Sequence, residues 1–194
     1  MSQKRVKMAI MVGGKGRGSN MANLIGHAQS PDFPAEATLV IGTRPNTPAL
    51  ERAKEMDVET CVLNPKDDGY AEALLDVLKS NGIELIALAG FLFLLPIPVL
   101  QMLPNRVINI HPALLPKFGG KGMYGMHVHE AVIAAGEAES GCTVHHVTEQ
   151  YDEGAPILQL RCPVEPYDTP ETLATRVLEL EHEAYPSAIR QLLS

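Results

Sequence analysis

The sequence predicts an α/β protein with a Rossmann-like, doubly wound and mostly parallel sheet: five parallel N-terminal strands, then antiparallel C-terminal additions. Three observations predict it. Short apolar runs alternate with amphipathic stretches through the first 111 residues. One of these runs, Ile83 to Ala89, is nearly continuous, as suits a strand covered on both faces. A glycine-rich loop, Gly13-Gly14-Lys15-Gly16-Arg17-Gly18, directly follows the first run. Strand and helix in alternation favour parallel pairing through right-handed crossovers.

Taken in order, Val6 to Val12 reads as a strand, and Met21, Leu24, Ile25 and Ala28 then mark one face of a helix whose first turn is Ser19-Asn20. Thr38 to Ile41 is apolar and β-branched. Pro48 to Met56 is helical, with Leu50, Ala53 and Met56 on its buried side, and Thr60 to Leu63 is a strand. A helix from Tyr70 to Asn81 presents Tyr70, Leu74, Val77 and Leu78 on one face and is ended by Asn81-Gly82. After the Ile83 strand, a short helix near Pro98 to Leu103 leads to a strand from Val107 to His111. With strand order 3-2-1-4-5, the switch point falls between the first and fourth strands, where ligands bind in open α/β sheets.

Beyond His111 the pattern changes to a long loop rich in Gly, Lys and Pro, a helix near Val128 to Ala135, and strands at Thr143 to Val147 and Ile157 to Val164. Thr169 and Pro170 have the N-cap and first-position chemistry of a last helix reaching Leu193. No internal repeat or linker interrupts the chain. We therefore expect one domain over residues 1–194, in halves 1–111 and 112–194.

Composition excludes several function classes. A formal net charge of −7 and a pI near 5.5 repel polyanions, so nucleic acid is not an expected partner. No apolar run approaches the roughly 20 residues of a membrane helix, and the start of the chain lacks signal-peptide features, so a cytoplasmic protein is expected. Cys61, Cys142 and Cys162 lack paired spacing. His127-x-His129 and His145-His146 come without a zinc motif, and no metal is expected.

The glycine loop matches neither a P-loop nor G-x-G-x-x-G, since Lys15 precedes the final glycine and Ser19 follows it. What remains is a tight turn before a helix start, where the amides of Gly18, Ser19 and Asn20 suit a phosphate. On the Val107 strand, alternation puts Asn109 and His111 on the same face at its carboxyl end. An amide donor beside an imidazole can stabilise an oxyanion and move a proton. The same pair would also suit a satisfied strand-end histidine. Asp152 lies in a turn after an apolar strand; next to His111 it would raise the imidazole pKa and let it donate a proton near neutrality.

Four segments together, Gly18-Ser19-Asn20, Ala89-Gly90-Phe91-Leu92, Asn109-Ile110-His111-Pro112-Ala113-Leu114-Leu115-Pro116-Lys117 and Tyr151-Asp152-Glu153-Gly154, resemble the bacterial glycinamide ribonucleotide formyltransferases of purine synthesis. The likeness continues to Glu181-His182-Glu183-Ala184-Tyr185-Pro186. It implies formyl transfer from 10-formyltetrahydrofolate, as co-substrate, to the amine of glycinamide ribonucleotide. By this likeness Asn109, His111 and Asp152 are catalytic, Gly18, Ser19 and Asn20 hold the phosphate, and Glu181 contacts the sugar. The folate would lie between Ala89, Gly90, Phe91, Leu92, Phe93, Leu94 and Leu95 on one side and Thr148, Glu149, Gln150, Tyr151 and Gly154 on the other. His145 and Lys117 would stand near the site.

The chain departs from that family's commonest pattern. Phe93 and Asp67 stand at positions that are usually basic, which puts contacts to the folate's glutamate tail in question; Lys66 or Lys117 are possible substitutes. The stretch Phe118 to Met126 is longer than usual, and the chain ends at Ser194 without the usual tail. Two other readings are carried forward: a formyltetrahydrofolate hydrolase, disfavoured by Pro112 after His111, and a non-catalytic folate- or nucleotide-binding module. A monomer or a homodimer is compatible with the sequence.

Overall fold

The hydrophobic periodicity becomes a layered sheet with helices, seen in a computed structural model that describes residues 4–194. Its contacts divide it into two compact units, the first running to Ile108 with Leu193 and Ser194, the second from Asn109 to Leu192. Along the sheet the strands run β3-β2-β1-β4-β5-β6-β7 in chain-order numbering, so the expected order 3-2-1-4-5 is present at its start.

The first unit holds β1 (Val6–Val12), α1 (Ser19–Ala28), β2 (Ala35–Gly42), α2 (Pro48–Glu55), β3 (Glu59–Val62), α3 (Tyr70–Ser80), β4 (Leu85–Ala89) and α4 (Ile97–Met102). β1 pairs in parallel with β2 and β4, and β2 with β3. Met8 to Val12 are buried, as a central strand covered on both faces requires. α1 buries Met21, Leu24, Ile25 and Ala28, the stripe read from its spacing.

Several expectations shift by a few residues. In α2 the buried set is Ala49, Leu50 and Ala53, while Met56 falls beyond the last turn and is half-buried. Leu74 and Leu78 are the buried residues of α3; Tyr70 and Val77 lie at the margin. β2 starts at Ala35 rather than Thr38 because Val6 donates to the Pro34 carbonyl at 2.9 Å and pairs with Ala35. β4 starts at Leu85 rather than Ile83 because the Ile83 amide closes the end of α3 on the Leu78 carbonyl at 2.9 Å.

The second unit contains α5 (Met126–Ala134), β6 (Glu139–His146), β7 (Pro156–Pro163) and most of α6 (Pro170–Leu193), with the end of β5 (Val107–His111) at its start. β6 and β7 are antiparallel, from Glu139 opposite Pro163 to His145 opposite Pro156, as expected for the C-terminal additions. β6 begins four residues before the expected Thr143, since the polar Glu139 and small Gly141 hide its start from hydropathy while still pairing with Pro163 and Arg161. Thr169 accepts from the Thr172 amide at 3.3 Å, so the expected N-cap is present. The terminal strands have modest edges: β3 is four residues long, and β7 begins and ends with proline. Among the described residues no helix is long and apolar enough to cross a membrane.

Candidate active site

β5 ends with Asn109 half-buried and His111 buried, and the loop after them is pinned along its length. Thr143 on β6 does most of the pinning: its hydroxyl donates to the Ala113 carbonyl at 2.6 Å and accepts from the Leu115 amide at 3.1 Å. Gln159 on β7 adds its amide, donating to the Leu115 carbonyl at 2.9 Å and to Thr143 Oγ1 at 3.0 Å. The chain thus returns at Phe118 with its carbonyl 2.7 Å from His111 Nε2.

Asp152 comes from the turn after β6. One carboxylate oxygen, Oδ2, lies 3.5 Å from His111 Nδ1 and accepts from the Gly120 amide at 2.9 Å. The other, Oδ1, lies 3.5 Å from His145 Nε2. Asp152 has φ +58° and Phe118 φ +56°, left-handed conformations uncommon outside glycine, so both residues touching His111 sit in unusual backbone geometry. Gly154 closes this turn against the His146 carbonyl, which a Cβ there would meet at 1.7 Å.

His145 occupies the same cluster. Its Nδ1 lies 2.8 Å from the His146 carbonyl and therefore carries the proton, since a carbonyl can only accept. In the neutral ring Nε2 is then an acceptor, and it takes an N–H from Asn109 Nδ2 at 3.2 Å. Only a doubly protonated ring could donate to Asp152 as well. His145 is buried and His146 half-buried.

Electrostatics corrects one expectation. The pKa of His111 is lowered, not raised: burial disfavours the imidazolium and outweighs Asp152 and the Phe118 carbonyl, both of which favour it. Burial alone would raise Asp152, but a hydrogen bond from His145 and the charge of His111, each acting when its ring is doubly protonated, and the Gly120 amide outweigh it and hold the carboxyl below its usual range. At neutral pH the pair is an ionised carboxylate beside a neutral imidazole.

A cleft of about 540 Å³ opens beside the cluster, lined by Leu115, Gly119, Gly120, Tyr151, Asp152 and Gly154 among others. Thr148, Glu149 and Gln150 are exposed. Lys117 places its ammonium 2.8 Å from Glu137. Glu181 is a buried carboxylate on α6. Among the described residues no group of three or more His, Cys, Asp or Glu is arranged to hold a metal ion.

In the first unit, β1 and β4 bring their following loops together: a Cβ on Gly13 would lie 2.3 Å from the Gly90 carbonyl. Gly18, at φ +70°, turns the chain into α1, whose N-terminus has no side-chain cap and no acid in its first turn. The segment after β4 sorts by burial. Ala89, Phe91 and Leu95 are core, Leu92 and Leu94 are exposed, and Phe93 lies between, its ring centroid 5.7 Å from that of Phe91.

Sequence reasoning missed Phe118, Gly120, Thr143 and Gln159. The first two act through backbone atoms, which leave no residue-type signal. Thr143 and Gln159 look like ordinary strand residues until the register of β6 and β7 sets them opposite one another.

The sequence profile described as formyl transferase matches residues 6–189, nearly the whole chain. The chain belongs to the formyl transferase family. This formyl transferase chain is 35% identical to the phosphoribosylglycinamide formyltransferase of Bacillus subtilis over 92% of its own length and 91% of that protein's. It is 37% identical to the chloroplastic phosphoribosylglycinamide formyltransferase of Arabidopsis thaliana, covering 96% of itself and 65% of that relative. Of the trifunctional purine biosynthetic protein of Drosophila pseudoobscura pseudoobscura it spans 14%. The crystal structure of phosphoribosylglycinamide formyltransferase from Brucella melitensis superposes with a TM-score of 0.89 at 38% identity, over 98% of this chain and 97% of that one. The shared fold is the formyl transferase α/β sheet.

Proposed function

We propose that this family member is a phosphoribosylglycinamide formyltransferase. It moves the formyl group of 10-formyltetrahydrofolate to the amine of 5'-phosphoribosylglycinamide, giving formylglycinamide ribonucleotide and tetrahydrofolate in purine biosynthesis. The observation that carries the reading is the cluster of Asn109, His111, His145 and Asp152 in a chain whose full-length relatives bear this name.

The substrate amine attacks the formyl carbon, forming a C–N bond and an oxyanion. Asn109 Nδ2 has two N–H groups; His145 takes one, and the second is available to the oxyanion. The proton lost by the amine passes to Asp152, which also supports His111 through the 3.5 Å contact with its Nδ1 and relays the proton onward. Collapse of the intermediate breaks the bond to the folate nitrogen, which takes the proton back. The start of α1 at Gly18, Ser19 and Asn20, with no acid in its first turn, suits the phosphate, and Glu181 is assigned to the ribose. The Ala89–Leu95 and Thr148–Gly154 segments are assigned to the folate, with exposed Leu92 and Leu94 as apolar contacts. The domain acts as one catalytic unit in the cytoplasm.

A steady-state assay with both substrates tests the reading. Tetrahydrofolate release that requires the ribonucleotide is the expected result. Release without it would identify a hydrolase, and no release would identify a binding module.

A further inference from the structure

Gln159 on β7 hydrogen-bonds to no member of the catalytic cluster, yet its amide is the outermost of the ties that hold the loop after His111. β6 and β7 set Thr143 directly opposite Gln159, so the two side chains share one face of the sheet. Each polar atom there has one allowed role. The Ala113 carbonyl can only accept, so it takes the single Thr143 hydroxyl proton at 2.6 Å. The hydroxyl oxygen then accepts from the Leu115 amide at 3.1 Å and from Gln159 Nε2 at 3.0 Å. The Leu115 carbonyl also can only accept, and Nε2 supplies its donor at 2.9 Å. Both polar groups of Leu115 are therefore held, the N–H by Thr143 and the carbonyl by Gln159. A carboxylate or an apolar side chain at position 159 offers no such donor.

Leu115 bears in turn on the catalytic pair. A Cβ on Gly119 would meet Leu115 Cδ2 at 2.5 Å and Asp152 Cβ at 3.1 Å, so Gly119 has both residues close against it. Its neighbours carry the contacts to the pair: the Phe118 carbonyl lies 2.7 Å from His111 Nε2, and the Gly120 amide donates to Asp152 Oδ2 at 2.9 Å. We infer that Gln159 is a positioning residue for the transfer, whose amide fixes Leu115 and through it the Phe118–Gly120 backbone that holds His111 and Asp152. Gln159 is not among the residues that line the cleft of about 540 Å³ beside the cluster. It lines a second cavity, of about 260 Å³, that shares Leu115 and Pro116 with that cleft. Its action is thus separable from contact with substrate. The effect on rate rests on the proposed transferase reading; the effect on the loop does not.

Hydrogen exchange reads the loop, and kinetics reads the rate. In Gln159→Leu the Leu115 and Gly120 amides should exchange about tenfold faster than in wild type. Unchanged exchange at both overturns the proposal whether or not the protein transfers formyl groups. In the same variant kcat should fall by about ten- to thirtyfold with the ribonucleotide KM within about threefold, because geometry is loosened and no substrate contact is lost. Gln159→Glu should fall as far at neutral pH, since an ionised carboxylate sets acceptors against the Leu115 carbonyl. A protonated carboxyl regains a donor. The ratio of Gln159→Glu to wild-type kcat should therefore rise as pH falls, while that of Gln159→Leu stays flat. A flat ratio in both would assign the loss to packing and overturn the proposal. Arg161→Ala, on the same strand and lining the same cavity, breaks a 3.2 Å pair with Glu139 and should keep kcat within about twofold. An equal loss there would assign the effect to the strand at large and overturn the proposal, as would wild-type kcat in both folded Gln159 variants or a loss confined to KM. If Gln159→Leu does not fold, the pH course of Gln159→Glu decides. If the wild type transfers no formyl group, the transferase reading fails and exchange decides for the loop.

Discussion

Asn109 and His145 are joined by a contact of 3.2 Å in which the amide donates and the ring accepts, and the ring's direction is set by its other nitrogen on the His146 carbonyl. The amide of Asn109 is therefore aimed by a histidine that need not touch substrate. His145→Ala frees that amide to rotate. We expect kcat to fall by about ten- to a hundredfold with the ribonucleotide KM nearly unchanged, measured in steady state.

His111→Ala and Asp152→Asn each remove one half of the proton-holding pair. Each should lose more than about a hundredfold in kcat, in line with general acid–base effects. Turnover near wild type in either variant would take that residue out of the mechanism.

The pH profile follows from the same pair. Burial pulls His111 down, so its neutral, proton-accepting form persists below the ordinary imidazole value of about 6.5. kcat/KM should fall on the acid side with an apparent pKa below that value, a property of the coupled pair. In Asp152→Asn the partner that favours the imidazolium is lost, and whatever activity remains should show its acid limb at still lower pH. An acid limb above about 6.5 in the wild type would contradict this.

Gly154→Ala would force a Cβ to within 1.7 Å of the His146 carbonyl. Main chain cannot yield as a flexible side chain does, so we expect a loss of about 1–3 kcal/mol in denaturant unfolding. Because the same turn carries Asp152, kcat should drop along with stability.

Away from the site, Asp168 clasps Arg176 with two bonds of 2.6 and 2.9 Å and accepts from the Glu165 amide and Thr172 hydroxyl, each at 2.8 Å. These partners hold its carboxyl well below the usual range. Its folded pKa is depressed, so its stabilisation is complete above about pH 4 and is lost as pH falls through the folded value. Asp168→Asn should cost about 1 kcal/mol at neutral pH, since solvent screens the Arg176 pair. Its stability should also depend less on pH in acid than that of the wild type, as read by chemical denaturation across pH.

Elements with a strong period were legible before any coordinates. The i, i+3, i+4, i+7 set of α1 and the apolar runs of β1 and β4 gave their positions, and the Asn109–His111 spacing gave two members of the cluster. Asp152 could be named as a candidate but its contact with His111 could not be read, because an acid in a turn has no period to mark where it folds. The start of β6 escaped because Glu139 and Gly141 enter a strand through pairing and not through hydropathy. The sign of the His111 shift escaped for a different reason: a sequence names the neighbouring carboxylate but not the depth at which the ring is buried.

The brevity of β3 and the prolines that bound β7 bear on how copies of this chain can meet. A terminal strand of four residues offers little ladder to a newcomer, and prolines at both ends of the other terminal strand cannot donate to one. The sheet is thus a poor template for growth by strand addition, at either margin. Should the protein self-associate, its copies would join through helix and loop surfaces, and crowding would not readily convert the fold into a continuous sheet.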